Sequence, residues 1–415
     1  MQCAVVISMD AIVRPAPRFD PRDIRGLKFF RPIRRLLDRL RPDAADPNRK
    51  LHFDHYTCLL LLYFFTPTLQ SLRDIQKASD FKTVARKLGV RRASLGSLSE
   101  ASHVFDPELL KAICYELADQ AHAGNAVPRP TGIPDDLAYI AADGSLLDAL
   151  PKMLWAHWIG EHDKAVKVHL QFDIFRGVPV KSQLTDANAS EITALKQMLQ
   201  PSCLYIVDRG YMDYSLYQTI LDNKSSFLGR LRGNFVHETI ETRELTHEAR
   251  AAGVQSDEIV WIGCEKTKSR MTAKLRLIKV HVVNPPQHGR KPRGPQVNRK
   301  CKSIRTSETE FDAWLLTDQM DIPAESIALL YKYRWQIEIF FRWLKCTLGC
   351  RHLLAHSENG VQIQMYVALI ASLLIVLWTG RKPTKASLFY LSMYFQGWAS
   401  LDEVEAHLKK LKPAK

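Results

Sequence analysis

The chain has 415 residues, with 58 Lys and Arg against 44 Asp and Glu and a formal net charge of +14. That length excludes a small stapled scaffold and allows two or three domains with sizeable cores. The charge points to a polyanionic partner, with nucleic acid the first candidate.

Eight cysteines are scattered with no C-x-x-C pair. They read as reduced thiols of a cytoplasmic protein, not a disulfide framework or a zinc site. The longest apolar run, Met365 to Trp378, has 14 residues. This is short of the ~20 needed to span a bilayer and predicts a buried helix.

Residues 1–50 are rich in Pro and Arg, either a basic arm along DNA or a solvated lead-in. From His52 to Asn125 the periodicity is helical, beginning with an apolar helix closed by Pro67. ARKLGV followed by a serine-rich helix start resembles a helix-turn-helix, with a pure packing role left open. PELLKAICYELADQAHA is a longer amphipathic helix. Gly124 to Pro134 is a linker by composition and the clearest domain boundary.

Beyond the linker the pattern becomes extended. LAYIAADGS predicts a strand ending on Asp143, with Gly144 and Ser145 turning the chain. KAVKVHLQFDIFRG and VPVKSQLT predict a hairpin turning at Arg176 and Gly177. SEITALKQML is a helix, CLYIVDRGYMD a buried strand ending on Asp208, YSLYQTILDN a helix and SFLGRLRG a further strand. This order describes a mixed sheet flanked by helices. Both aspartates fall at strand ends, where sites in open α/β sheets collect. Between 233 and 321 three more extended segments follow: EIVWIGC, AKLRLIKVHVV and FDAWLLTD. A loop before the last carries Arg290, Lys291, Arg293, Arg299, Lys300, Lys302 and Arg305. It would track a DNA backbone or be a solvated surface loop.

The segment YKYRWQIEIFFRWLK then places Tyr331, Arg334, Glu338 and Lys345 at steps of three, four and seven. On one α-helix these steps return to nearly the same angle. One stripe would carry a phenol, a guanidinium, a carboxylate and an ammonium. Ile337, Phe340, Phe341, Leu344 and Leu348 would bury the helix. Such a stripe suits an acid that holds a metal while its neighbours grip phosphate. The alternative is an ordinary amphipathic helix with a solvated stripe. Asp143, Asp208 and Glu338 come from three separate elements, at intervals 208 − 143 = 65 and 338 − 208 = 130. Hard oxygen ligands of this kind suit Mg²⁺ and phosphodiester chemistry.

D-R-G-Y at Asp208 to Tyr211, with Tyr331-x2-Arg334-x3-Glu338-x6-Lys345, resembles the signature of DDE transposases of the insertion-sequence-four family. The resemblance covers roughly Leu137 to Gly349. It implies an α/β fold: an RNase H-like catalytic core interrupted by a β-rich insertion, with helical N-terminal and C-terminal regions. The expected divisions are a DNA-binding region at 1–130, core at 131–232, insertion at 233–321, final catalytic helix at 322–350 and helical tail at 351–415. Asp143, Asp208 and Glu338 would be catalytic metal ligands for two Mg²⁺ ions, with Mn²⁺ able to substitute. Tyr331, Arg334, Lys345, Arg209 and Tyr211 would contact DNA. Lys167 and His169 read as structural or DNA-adjacent. Trp261 would either stack on a flipped base or sit in the core of the insertion. The implied activity is cut-and-paste transposition at inverted-repeat ends, by way of hairpin ends, by a homodimer on double-stranded DNA at the nucleoid. Two alternatives stay open: an RNase H-like metal-dependent nuclease without transposition, and a non-catalytic DNA-binding relic.

Overall fold

The computed structural model describes residues 37–40, 49–124, 126–149, 153, 155–158, 164–233, 235–263, 271–283, 310–350 and 352–411. The basic arm before residue 37 and the cation-rich loop at 284–309 lie outside the described residues.

One sheet carries the architecture. Its first half comprises β1 (Ala138–Ala149), β2 (His157–Trp158), β3 (Lys164–Asp173), β4 (Val178–Asp186), β5 (Cys203–Val207) and β6 (Ser226–Arg230). The spatial order is β4-β3-β1-β5-β6, with two-residue β2 pairing the start of β3. β1–β3 and β3–β4 are antiparallel, while β1–β5 and β5–β6 are parallel. This is the mixed α/β arrangement of sheet and helices that the resemblance implied. The β3–β4 hairpin turns at Gly177, whose φ of +68° suits a residue without a Cβ.

β1 does not end on Asp143, as the sequence suggested. It pairs with β3 from Ile140↔Asp173 to Ala149↔Lys164, so its antiparallel partner carries it well past the aspartate. Gly144 faces His169 across the ladder and does not turn the chain. What stops near Asp143 is the pairing with β5, whose last rung is Ala141↔Ile206. The two strands part there and leave a crevice.

The insertion continues the same sheet. β7 (His237–Thr242), β8 (Val254–Ile262), β9 (Leu275–Val283) and β10 (Glu310–Thr317) form an antiparallel run, and β10 pairs with β6. The open edge of β6 needs hydrogen-bonding partners, and β10 supplies them. β7 escaped the sequence reading because HETIET is polar and mostly exposed. Trp261 is half-buried on β8, opposite Glu238.

The N-terminal helices are α1 (Phe53–Phe65), α2 (Leu72–Asp80), α3 (Lys82–Leu88), α4 (Leu95–Val104) and α5 (Pro107–Gln120). α6 (Glu191–Met198) and α7 (Tyr214–Asp222) cover one face of the sheet, and α8 (His247–Ala251) lies in the insertion. α9 (Ala324–Tyr333) and α10 (Trp335–Arg342) follow, then a π turn at Trp343–Thr347, then α11 (Glu358–Thr379), α12 (Lys385–Phe395) and α13 (Leu401–Lys410).

Strand alternation sorts the core into two clusters. Tyr139, Ala141, Leu204, Ile206 and Leu228 join the N-terminal helices, α10 and α11 in one. Ile140, Ala142, Cys203, Tyr205 and Phe227 face α6 and α7 in the other. α11 spans 22 residues, longer than the 14-residue apolar run, because Ser357 caps it upstream by accepting from Gly360 N. It is the one described helix long and apolar enough to cross a membrane, yet 89% of its apolar window is buried inside the fold. The linker is fastened to this core: Gly124 N donates to Gly380 O at 2.7 Å, and Ser326 Oγ donates to Thr131 O at 2.7 Å.

Candidate active site

The parallel register sets the two aspartates side by side. β1 pairs with β5 at a constant offset, Ala138↔Cys203 through Ala141↔Ile206. That offset is 203 − 138 = 65, the same as the Asp143–Asp208 interval. Asp143 and Asp208 lie two residues beyond the last hydrogen-bonded pair, at the mouth of the crevice, and the Arg334 charge acts on both. β5 and β6 extend the row: Val207 pairs with Gly229, so Arg230 stands level with Asp208. All three share the parity of Ala141, Ile206 and Leu228, so they face the side covered by α10.

The second half of the site comes from the α9–α10 segment. The sequence predicted one continuous helix, but the chain pauses at Arg334 and finishes in a π turn. The entry to α9 is clamped from the insertion. Arg276 makes a buried bidentate pair with Asp257, at 2.8 and 2.6 Å, and also donates to the carbonyls of Met320 and Ile322. Arg243 donates to the Met320 carbonyl at 2.6 Å. Ile337, Phe340 and Phe341 bury the inner face of α10 in the sheet-side cluster.

This arrangement brings the predicted residues together in specific pairs. Tyr331 donates its hydroxyl to Asp208 Oδ1 at 2.9 Å. Arg334, itself buried, donates to Glu338 Oε1 at 2.8 Å, one helical turn away. Lys345 Nζ donates to Leu146 O at 2.6 Å and so ties the π turn to β1. Tyr331 thus holds the Asp208 carboxylate in place. Tyr211 is 2% exposed and packs in the cluster under α6 and α7, where it braces the site from the sheet's other face. Arg209 beside it is exposed. Lys167 and His169 share the α6 face of β3. His169 is buried and bonded to Thr185 at 2.8 Å, the packed role its strand position suggested.

The electrostatics separate the two aspartates. Burial pushes the Asp143 carboxyl up to about 6, with Glu191 and Glu338 adding to the rise against Gly144 N–H and the Arg334 charge. Asp208 also suffers burial. There the Arg334 charge, the Arg209 N–H, the Tyr331 hydroxyl and Arg230 prevail and hold it below the ordinary carboxylate value. One carboxylate is costly to ionise and its neighbour is strongly favoured. A divalent cation between them would relieve the first and be attracted by the second, and hard oxygen donors suit Mg²⁺. Glu338 is turned to Arg334. Among the described residues, no three acidic, His or Cys side chains already converge as a metal group.

Sequence reasoning missed Arg230 and Glu191. Arg230 lies 4.6 Å over the Phe311 ring and acts on both Asp208 and Tyr331. Its signal was its place at the end of the next parallel strand. Glu191, at the start of α6, carried no local signal.

Fold and site together define a mixed α/β protein with a carboxylate-lined crevice under a cation-bearing helix. The Transposase DDE domain family matches residues 138–374. A Synechocystis protein named as a transposase for insertion sequence element IS4SA is 36% identical over 357 residues, covering 83% of this chain and 90% of that protein. A Sinorhizobium fredii protein named as transposase y4zB is 28% identical over 237 residues, covering 55% of this chain and 59% of that protein. The piggyBac transposase synaptic complex with hairpin DNA matches with a TM-score of 0.42 and 10% identity, over 91% of this chain and 78% of that one. The chain belongs to the DDE transposase family. Its match spans about three fifths of the y4zB protein's length and nine tenths of the IS4SA protein's.

Proposed function

We propose that the protein is a DNA transposase that binds the inverted-repeat ends of an insertion sequence and catalyses metal-dependent strand cleavage and strand transfer. The observation that carries this reading is that Asp143 and Asp208, at the ends of the β1–β5 pairing, both feel the Arg334 charge that also bonds Glu338. These three acids are the residues that would hold two Mg²⁺ ions, with Mn²⁺ able to replace them. When bound, the ions supply Lewis acidity at the scissile phosphate.

The chain's own groups do the rest. Glu338 leaves Arg334 to join the two aspartates, and the released guanidinium meets a phosphate bidentately. Lys345, Arg209 and Arg230 add positive charge along the DNA backbone. Tyr331 keeps Asp208 oriented; burial and the adjacent carboxylate push its phenol up, so it remains a donor. A freed 3′-hydroxyl then attacks the opposite strand to give a hairpin end, and the reopened end attacks target DNA. Residues 1–130 contribute DNA recognition, the strands of 233–321 brace the catalytic helix, and two protomers pair the two ends. The protein works in the cytoplasm, at the nucleoid.

Replacing Tyr331 with Phe removes the Asp208 hydrogen bond while keeping the ring. Cleavage should slow about tenfold with end binding preserved. Asp208 loses a group that lowers its pKa, so the acid limb of the pH–rate profile should move to higher pH. An unshifted limb would remove Tyr331 from this role.

The reading itself is tested with a plasmid carrying the gene and several hundred flanking base pairs, incubated with protein and Mg²⁺. Paired cuts at inverted repeats establish the transposase. Scattered cutting that still needs the three acids would favour the nuclease.

A further inference from the structure

The crevice between β1 and β5 contains one more acid. α6 begins at Glu191, after Ser190 caps it by accepting from Thr193 N. The Glu191 carboxylate lies against the residues that follow both aspartates. Its Oε1 is 2.9 Å from where a Cβ on Gly144 would sit, and its Oε2 is 3.7 Å from the equivalent point on Gly210. Gly144 follows Asp143 directly, and Gly210 comes two residues after Asp208. Any side chain at Gly144 would occupy the space that the carboxylate fills. The carboxylate therefore bridges the gap where the two strands separate.

It pairs with Lys167 on β3, at 3.4 Å, its one ion-pair partner among the described residues, and 30% of its side chain remains exposed. Its charge reaches Asp143 and Tyr211, both of which it pushes up.

We propose that Glu191 is a fourth acid of the centre, a positioning residue whose charge raises the affinity of the Asp143–Asp208 crevice for a divalent cation, with Lys167 as the counter-ion that moderates it. This rests on the metal-centre reading above. A glutamate in the first turn of a helix also stabilises that helix through its dipole. A dipole role alone predicts a change in stability and none in cation affinity.

The two are separated by titrating Mn²⁺ into the DNA-free full-length protein by calorimetry, with thermal melts to verify folding. Glu191→Gln should weaken Mn²⁺ binding on the order of tenfold. Lys167→Met should tighten it, because a competing positive charge is removed. Gly144→Ala, whose methyl displaces the flexible carboxylate end and leaves the charge count unchanged, should weaken it. Unaltered affinity in all three variants, or weakening by Lys167→Met as large as that by Glu191→Gln, would overturn the proposal. Should Glu191→Gln fail to fold, Gly144→Ala decides. Asp143→Asn is the control for the centre itself. If it also leaves Mn²⁺ binding intact, the metal-centre reading fails, and not merely the role of Glu191.

Discussion

Glu338→Gln should abolish DNA cleavage, by at least ~10³-fold, while leaving the fold and end binding intact. The amide is nearly isosteric with the carboxylate and still accepts the hydrogen bond from Arg334 that stands at 2.8 Å. Glu338 contributes little to the core, since 30% of its side chain is exposed and α10 is held by Ile337, Phe340 and Phe341. What the substitution removes is an anion one helical turn from a buried guanidinium. Binding of end DNA should stay equal or tighten slightly, because Arg334 no longer faces a competing negative charge. Gel-shift titration beside Mg²⁺-dependent cleavage of the same fragment checks both halves. Cleavage within tenfold of wild type would take Glu338 out of the catalytic set. Lost cleavage with equally lost binding would make it a structural residue.

The parts of the site legible in the sequence were those that local spacing encodes. The Tyr-Arg-Glu-Lys run is contiguous, so its residues could be named before any topology was known. The core strands were legible because CLYIV and KAVKVHLQFD are continuous or alternating apolar runs. Parallel register was not, since no local pattern says which rung of β1 meets which rung of β5. Only in the sheet does the interval of 65 become the offset of the β1–β5 pairing that leads to both aspartates.

The same limit explains what local patterns did not carry. Arg230 and Glu191 reach the site by way of neighbouring strands and a covering helix, contacts between residues far apart in the chain. Tyr211 shares a tetrapeptide with Asp208, and adjacency suggested a shared role. A 3₁₀ turn at Arg209–Tyr211 instead sends its ring into the opposite core. Lys345 fitted the helical stripe by arithmetic, but the π turn changes its angle and seats it on the Leu146 carbonyl. That the insertion's strands continue the core sheet is not legible in the sequence, because polar β7 gives no signal and β10 gives no clue to its partner β6. Its function in the fold is legible only from Arg276, whose pairing with Asp257 joins two strands of the insertion to the segment that launches α9.

Asp143→Asn should raise the thermal midpoint of the metal-free protein at pH 8, by about 2–5 °C, and should eliminate the stabilisation that the proposed metal centre predicts Mg²⁺ to give the wild type. The sign follows from linkage. In the fold this carboxyl is pushed up to about 6 from 3.8, by burial first and then by Glu191 and Glu338. Between those two values the native state holds a proton that the unfolded chain has lost, so stability falls as pH rises through the window. Above pH 6 the full cost of the buried anion is present; below the unfolded value it is absent. The asparagine variant carries no such cost, and its Oδ1 still accepts from Gly144 N as the aspartate does at 2.8 Å. Its advantage should therefore be largest at pH 8 and shrink toward pH 4. Under the proposed metal-centre reading Mg²⁺ would remove the same cost in the wild type by neutralising the anion, so saturating metal should erase or reverse the difference. Melting curves of both proteins at pH 4.5 and 8, with and without Mg²⁺, give the four comparisons. A variant less stable than wild type at pH 8 without metal would mean that Asp143 stabilises the fold by other contacts. The crevice would then not be strained toward a cation, and the carboxylate pair would lose its strongest physical argument for holding one.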